Sequence, residues 1–198
     1  MHGLGPLDGH VEVAGRTDAA IMHDLVTAAG GEDFDARWPE VAAEALRVYE
    51  ELCPPDLSDR VAPGVPELLA ALAARRDDFR LSLVTGNLEP IAHLKLGRAG
   101  IGHYFEPGQG GFGSDHASRA ELPAIARARA GDWPRERTVV IGDTPRDIAC
   151  ARADDVRVVA VATGPFTVEA LADADAVVDD ARALLPVLEH WGQTPLSH

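Results

Sequence analysis

The chain has 198 residues, 46% hydrophobic and 25% charged, a globular composition long enough for one domain with a substantial core. Its formal net charge of −14, with Lys95 as the sole lysine, sets a field that repels nucleic acid and anionic lipid, so neither is expected as a partner. Two cysteines, Cys53 and Cys150, are too few for a disulfide framework, and no leader pattern or apolar membrane-spanning run reads from the sequence, so a cytoplasmic protein is expected.

Residues 1–17 are glycine-rich, with one short apolar piece at Val11-Glu-Val13. Thr17-Asp18 reads as an N-cap, followed by a helix from Ala19 to Ala29 that stops at Gly30-Gly31. Trp38-Pro39 is read as the opening of a second helix, which ends before Cys53-Pro54-Pro55. Residues 13–60 are therefore expected to be an all-helical unit, and 61–198 the remaining domain. After Pro63-Gly64, Val65, Leu68, Leu69 and Leu72 mark an amphipathic helix. A strand is predicted at Leu81–Val84, a helix at Glu89–Ala99, a glycine-rich loop through Gly113, and a helix at Arg119–Ala130. Strand Thr138–Ile141, helix Pro145–Ala153, strand Arg157–Val161, a helix near Val168–Leu171, strand Ala176–Val178 and helix Ala181–His190 follow. Strands alternating with helices predict a parallel α/β sheet with right-handed crossovers.

Two strand ends carry chemistry. Gly142-Asp-Thr-Pro-Arg-Asp147 follows an apolar strand and runs into a helix with proline at its first position. Asp143 and Asp147 then lie near each other, a pair of hard oxygen ligands that suits magnesium. Helix capping by Asp143 or Thr144, with Asp147 answering the helix dipole, explains the same residues. Thr85-Gly86-Asn87 offers a hydroxyl and backbone N–H groups to an anion, or is a simple turn. Arg119, opening a helix after a glycine-rich loop, suits bidentate phosphate binding or a surface role. Lys95 is a rival cation, expected on an exposed helix face.

Together these segments resemble the haloacid dehalogenase-like hydrolase superfamily, in its phosphoglycolate-phosphatase-like branch with a helical cap. The family's Ser/Thr after the second core strand matches Thr85. Its Lys/Arg before a core helix matches Arg119, and its acidic pair matches Asp143 and Asp147. The resemblance implies a Rossmannoid three-layer parallel sheet and a cap over residues 13–60, with Arg16 the best cap contact to substrate. It implies a magnesium-dependent phosphatase of a small phosphorylated metabolite, with Thr85, Gly86, Asn87 and Arg119 binding phosphate and Asp143 and Asp147 holding the metal.

One family motif is absent. No Asp-x-Asp-x-Thr precedes Leu81; Asp33-Phe-Asp35 and Asp173-Ala-Asp175 lie in the wrong places and have the wrong sequel. The expectation is a sheet lacking its first strand, a slot roughly 10 Å wide between its neighbours, weak magnesium binding and no turnover. A natural start some tens of residues upstream of Met1 is also expected. The competing functions are a catalytically dead binding or regulatory module and a carbon–halogen hydrolase. The paired aspartates weigh against the latter.

Overall fold

The computed structural model describes residues 16–193; Val11-Glu-Val13 lies outside them. Helix α1 (Asp18–Ala28) starts where Thr17 accepts the N–H of Ala20 on its hydroxyl at 3.2 Å. Helix α2 spans Phe34–Leu52, so it begins four residues before Trp38 and contains Pro39. Pro39 lies in the second turn, so the helix absorbs the loss of one intrahelical bond there. The far end of α2 is closed from outside. The Arg98 guanidinium donates to the carbonyls of Glu50 and Cys53 at 3.0 and 2.5 Å, a cation at the negative helix end. Between residues 16 and 60 there is no strand.

The rest is α/β, in the order α3 (Val65–Ala73), β1 (Leu83–Thr85), α4 (Glu89–Arg98), β2 (Gly110–Phe112), α5 (Leu122–Arg129), β3 (Val139–Gly142), α6 (Pro145–Ala153), β4 (Arg157–Val161), β5 (Ala176–Val178) and α7 (Leu184–Gln193). All pairings are parallel. The helices predicted at Val168–Leu171 and at the start of Ala181–His190 are single 3₁₀ turns, Glu169–Leu171 and Ala181–Ala183.

Among the described residues the strands form two sheets, not one: β1–β2, and β3–β4–β5. The three-stranded sheet is covered on both faces. Alternate residues of β4 face opposite ways, so Val159 and Val161 pack with Leu68, Leu72, Leu184 and Leu188 of α3 and α7. Val158 and Ala160 pack on the other side with Ile148 and Ala151 of α6. The smaller sheet is built around Phe112 and Leu122, both fully buried. Strand β2 falls where the sequence predicts only a loop. Its Gly111 is a steric necessity, because a Cβ there would lie 2.1 Å from the carbonyl oxygen of Leu122.

Between the two sheets lies a cavity of about 300 Å³, lined by Val84, Ala126, Val139, Ile141, Leu188 and Trp191. Ile141, inside a core strand, is therefore 42% exposed. This is the slot expected from the sequence. The two sheets are tied by helix contacts and ion pairs instead of ladder bonds. Arg127 of α5 grips Asp154 at the end of α6 through two bonds of 2.7 Å, and Arg119 grips Asp147.

Candidate functional site

Both chemical segments sit at the carboxyl ends of parallel strands, where open α/β sheets bind ligands. After β3 the chain turns into α6 through Thr144, whose side chain accepts the N–H of Asp147. In return Asp147 Oδ2 accepts the Thr144 N–H at 3.0 Å, the Thr144 hydroxyl at 2.8 Å and the Asp143 N–H at 3.2 Å. This is a complete capping box. The other oxygen, Oδ1, takes Arg119 Nη2 at 2.5 Å. Asp147 is 6% exposed, and its carboxylate is engaged on both oxygens by the protein's own donors. Gly142 makes this packing possible, since a Cβ there would lie 2.3 Å from the Asp147 carboxyl carbon.

Arg119 is thus aimed by Asp147 across the gap between α5 and α6. Its Nε is buried and has no oxygen or nitrogen partner among the described residues, and the buried Cys150 thiol interacts with the guanidinium. Cys150, buried beside Arg119, has its thiol pushed up to about 11, first by burial.

Asp143 differs from Asp147. It is half-buried, and its carboxylate takes no hydrogen bond or ion pair from the described residues. Its space is kept open by Gly164, where a Cβ would meet Asp143 Oδ2 at 2.5 Å. Among the described residues no group of three or more His, Cys, Asp or Glu converges as a metal cage. A single free carboxylate at a strand end nevertheless fits magnesium, which keeps several waters and binds through one or two carboxylates.

After β1, the Thr85 hydroxyl accepts the N–H of Asn87 at 3.2 Å, which leaves its proton available to donate. Asn87 is placed differently from the sequence expectation. Its amide nitrogen donates to the Asp18 carboxylate at 3.1 and 3.2 Å, and its amide oxygen accepts Lys95 Nζ at 2.9 Å. Lys95 is half-buried and lies 5.0 Å from the centre of the Tyr49 ring, not on an exposed face. Arg16 pairs with Asp24 at 2.7 Å, which helps hold the Asp24 carboxyl below the usual range.

The two clusters are joined by the loop after β2. Gly113 packs on Gly86 so closely that a Cβ would lie 1.9 Å from the Gly86 carbonyl oxygen, and its N–H donates to the Asn87 carbonyl at 2.8 Å. Further along, the Ala117 carbonyl accepts the Thr17 hydroxyl at 2.7 Å, and Arg119 follows. The structure therefore brings Asp143, Asp147 and Arg119 into one cluster and Thr85, Gly86 and Asn87 into another, one at each end of residues 113–119. Asp18 was missed as a site residue because its partners are some seventy positions away.

A profile for haloacid dehalogenase-like hydrolases matches residues 9–152, more than half the chain. The chain belongs to the haloacid dehalogenase-like hydrolases. Among solved structures, a hydrolase from Pseudomonas syringae superposes with a TM-score of 0.61 at 20% identity, over 89% of this chain and 80% of that one. CbbY from Rhodobacter sphaeroides, solved in complex with phosphate, superposes with a TM-score of 0.53 at 22% identity, over 65% of this chain and 58% of that one. At these identities the likeness concerns the fold. No curated protein matches the sequence. In this fold Thr85 ends β1 and Asp143 follows β3, while Arg119 precedes α5. No helix among the described residues is long and apolar enough to cross a membrane.

Proposed function

We propose that this chain carries the phosphoryl-binding core of a cytoplasmic phosphatase that acts on a small phosphorylated metabolite. The observation that carries the reading is Arg119: a guanidinium held by the buried Asp147 carboxylate at the turn that follows β3. Thr85 would donate its hydroxyl proton to one phosphoryl oxygen, while the missing side chain at Gly86 lets the Arg16–Thr17 backbone pack on the loop. Arg119 would neutralise a second oxygen, with Asp147 fixing the fork so that little freedom is lost on binding. Asn87 shapes the loop and does not offer its amide to the ligand, since both ends of that amide are engaged. Asp143 would hold a magnesium ion, which supplies charge neutralisation at the phosphoryl group. Asp147 stands behind it as a capping group. In this reading residues 13–60 form the cap and residues 61–198 the core.

The family's attacking carboxylate belongs to Asp-x-Asp-x-Thr, which this sequence does not contain. Removing the nucleophile of an enzyme costs about 10⁴–10⁶ in rate. The reading therefore expects phosphate binding without measurable hydrolysis. The test is titration with inorganic phosphate, with and without magnesium, beside an assay on an aryl phosphate. Saturable phosphate binding that is lost in Arg119→Ala and weakened in Thr85→Ala supports the reading. Wild-type binding that is absent at millimolar phosphate, or insensitive to both substitutions, overturns it. Turnover by this chain would sink the expectation of inactivity.

A further inference from the structure

The loop Thr85–Gly86–Asn87 is gripped by a charged pair that phosphoryl chemistry does not itself require. Asp18, the first residue of α1, accepts the Leu88 N–H at 2.8 Å and the Asn87 amide nitrogen at 3.1 and 3.2 Å. Its own N–H donates to the Gly86 carbonyl at 2.6 Å. On the other side, Lys95 holds the oxygen of the same amide at 2.9 Å. An acceptor-only group faces the amide nitrogen and a donor-only group faces the amide oxygen, so a flipped Asn87 would clash electrostatically at both ends. The orientation is fixed.

Charge decides between two roles. A bare carboxylate at this loop would repel an incoming anion. Asp18 is balanced by Lys95 through one intervening amide, and the three side chains sum to zero. The contact therefore orders the loop without a net negative field. The entry to α1 also lies flat on the loop, as a Cβ at Gly86 would meet the Arg16 carbonyl oxygen at 2.3 Å. Any change in the loop is felt by α1.

We propose that Asp18 is a positioning residue: through Asn87 and Leu88 it locks the anion loop in its binding conformation and ties the seating of α1 and α2 to that loop. The proposal rests on the reading of Thr85–Asn87 as a phosphoryl site. It assigns to the start of the helical pair a role in preparing the site.

The test uses inorganic phosphate as probe, with affinity from calorimetry and hydrogen exchange at the α1 amides Ile21–Leu25 as a second readout. The variants are Asp18→Ala, the near-isosteric Asp18→Asn, and the double exchange Asp18→Asn with Asn87→Asp. The double exchange restores an amide–carboxylate contact and puts the carboxylate beside Lys95. Asp18→Ala should weaken phosphate binding about tenfold and speed α1 exchange by a similar factor, the scale of one lost charged hydrogen-bond set. Asp18→Asn should fall between, and the double exchange should recover most of the affinity. Tighter phosphate binding in Asp18→Ala would overturn the proposal, because Asp18 would then be a competitor of the ligand. Faster α1 exchange at unchanged affinity would overturn it too, leaving Asp18 as a structural anchor. Failure of the parent chain to bind phosphate would instead refute the phosphoryl reading. In that case α1 exchange in Asp18→Ala still decides whether Asp18 holds the helix: accelerated exchange supports the tie, unchanged exchange ends it.

Discussion

The two sheets make an instructive pair. In β3–β4–β5, the middle strand has ladder partners on both sides and helices on both faces, and its residues Val158 and Val159 are fully buried. In β1–β2, three residues of each strand pair, and two of the three in β2 are glycines. Both sheets present an edge to the cavity between them. What couples them is α5 against α6, reinforced by the Arg127–Asp154 and Arg119–Asp147 pairs. The lesson is that ligand-binding residues on different sheets can be held in register by side-chain ion pairs where ladder bonds are missing. Such a coupling is strong but brittle.

The sharpest way to expose the contrast is native-state hydrogen exchange. Amides of Val158–Val161 should be protected at least ~100-fold more than those of Leu83–Thr85. Equal protection would mean that the sheets open as one unit. The coupling itself is broken by Asp154→Asn. Asp154 is 4% exposed, so its loss strands Arg127 and should cost about 3–5 kcal/mol. Urea unfolding followed at several probes should then separate into two transitions. A single coincident transition with a smaller loss would show that helix packing alone joins the halves.

A pH experiment addresses the three-stranded half. Burial raises the Cys150 thiol from 9.0 to about 11 in the folded protein. The unfolded chain loses this proton first, so the associated stability is intact below pH 9 and drains away as pH rises from 9 towards 11. The slope should vanish in Cys150→Ala. At pH 8 a thiol reagent should modify half-buried Cys53 well before Cys150. The smallest effect is expected from Thr144→Ala, which removes one half of the capping box and should cost about 1 kcal/mol in thermal unfolding. Because Asp147 also aims Arg119, the same variant should loosen phosphate binding; an unchanged affinity would show that Arg119 is held without the cap.

The sequence made the larger sheet legible and the smaller one partly opaque. Val158–Val161 reads as a buried strand because an unbroken apolar run has few other uses. Gly110–Gly111 does not, because glycine has no strand preference, and this strand exists through its pairing with β1 and the close approach of α5. Pro39 suggested a helix start and proved to lie inside one, a case of the folded context overriding local preference. At the candidate site, Thr85, Asp143 and Asp147 were singled out by their place after predicted strands, and Arg119 by opening a helix after a glycine-rich loop. Their partners were not. That Asp147 is the group holding Arg119, and that Asn87 is clasped between Asp18 and Lys95, depend on side chains far apart in the chain. No periodicity encodes that.

The partial exposure of Ile141 has a consequence for handling the molecule. A branched aliphatic side chain between two unsealed strand borders favours concentration-dependent self-association, and mutual repulsion from fourteen surplus negative charges works against it. Raising ionic strength weakens only the second influence. The colloidal limit of this polypeptide should therefore be reached by adding salt, with light scattering increasing well before any loss of helical signal.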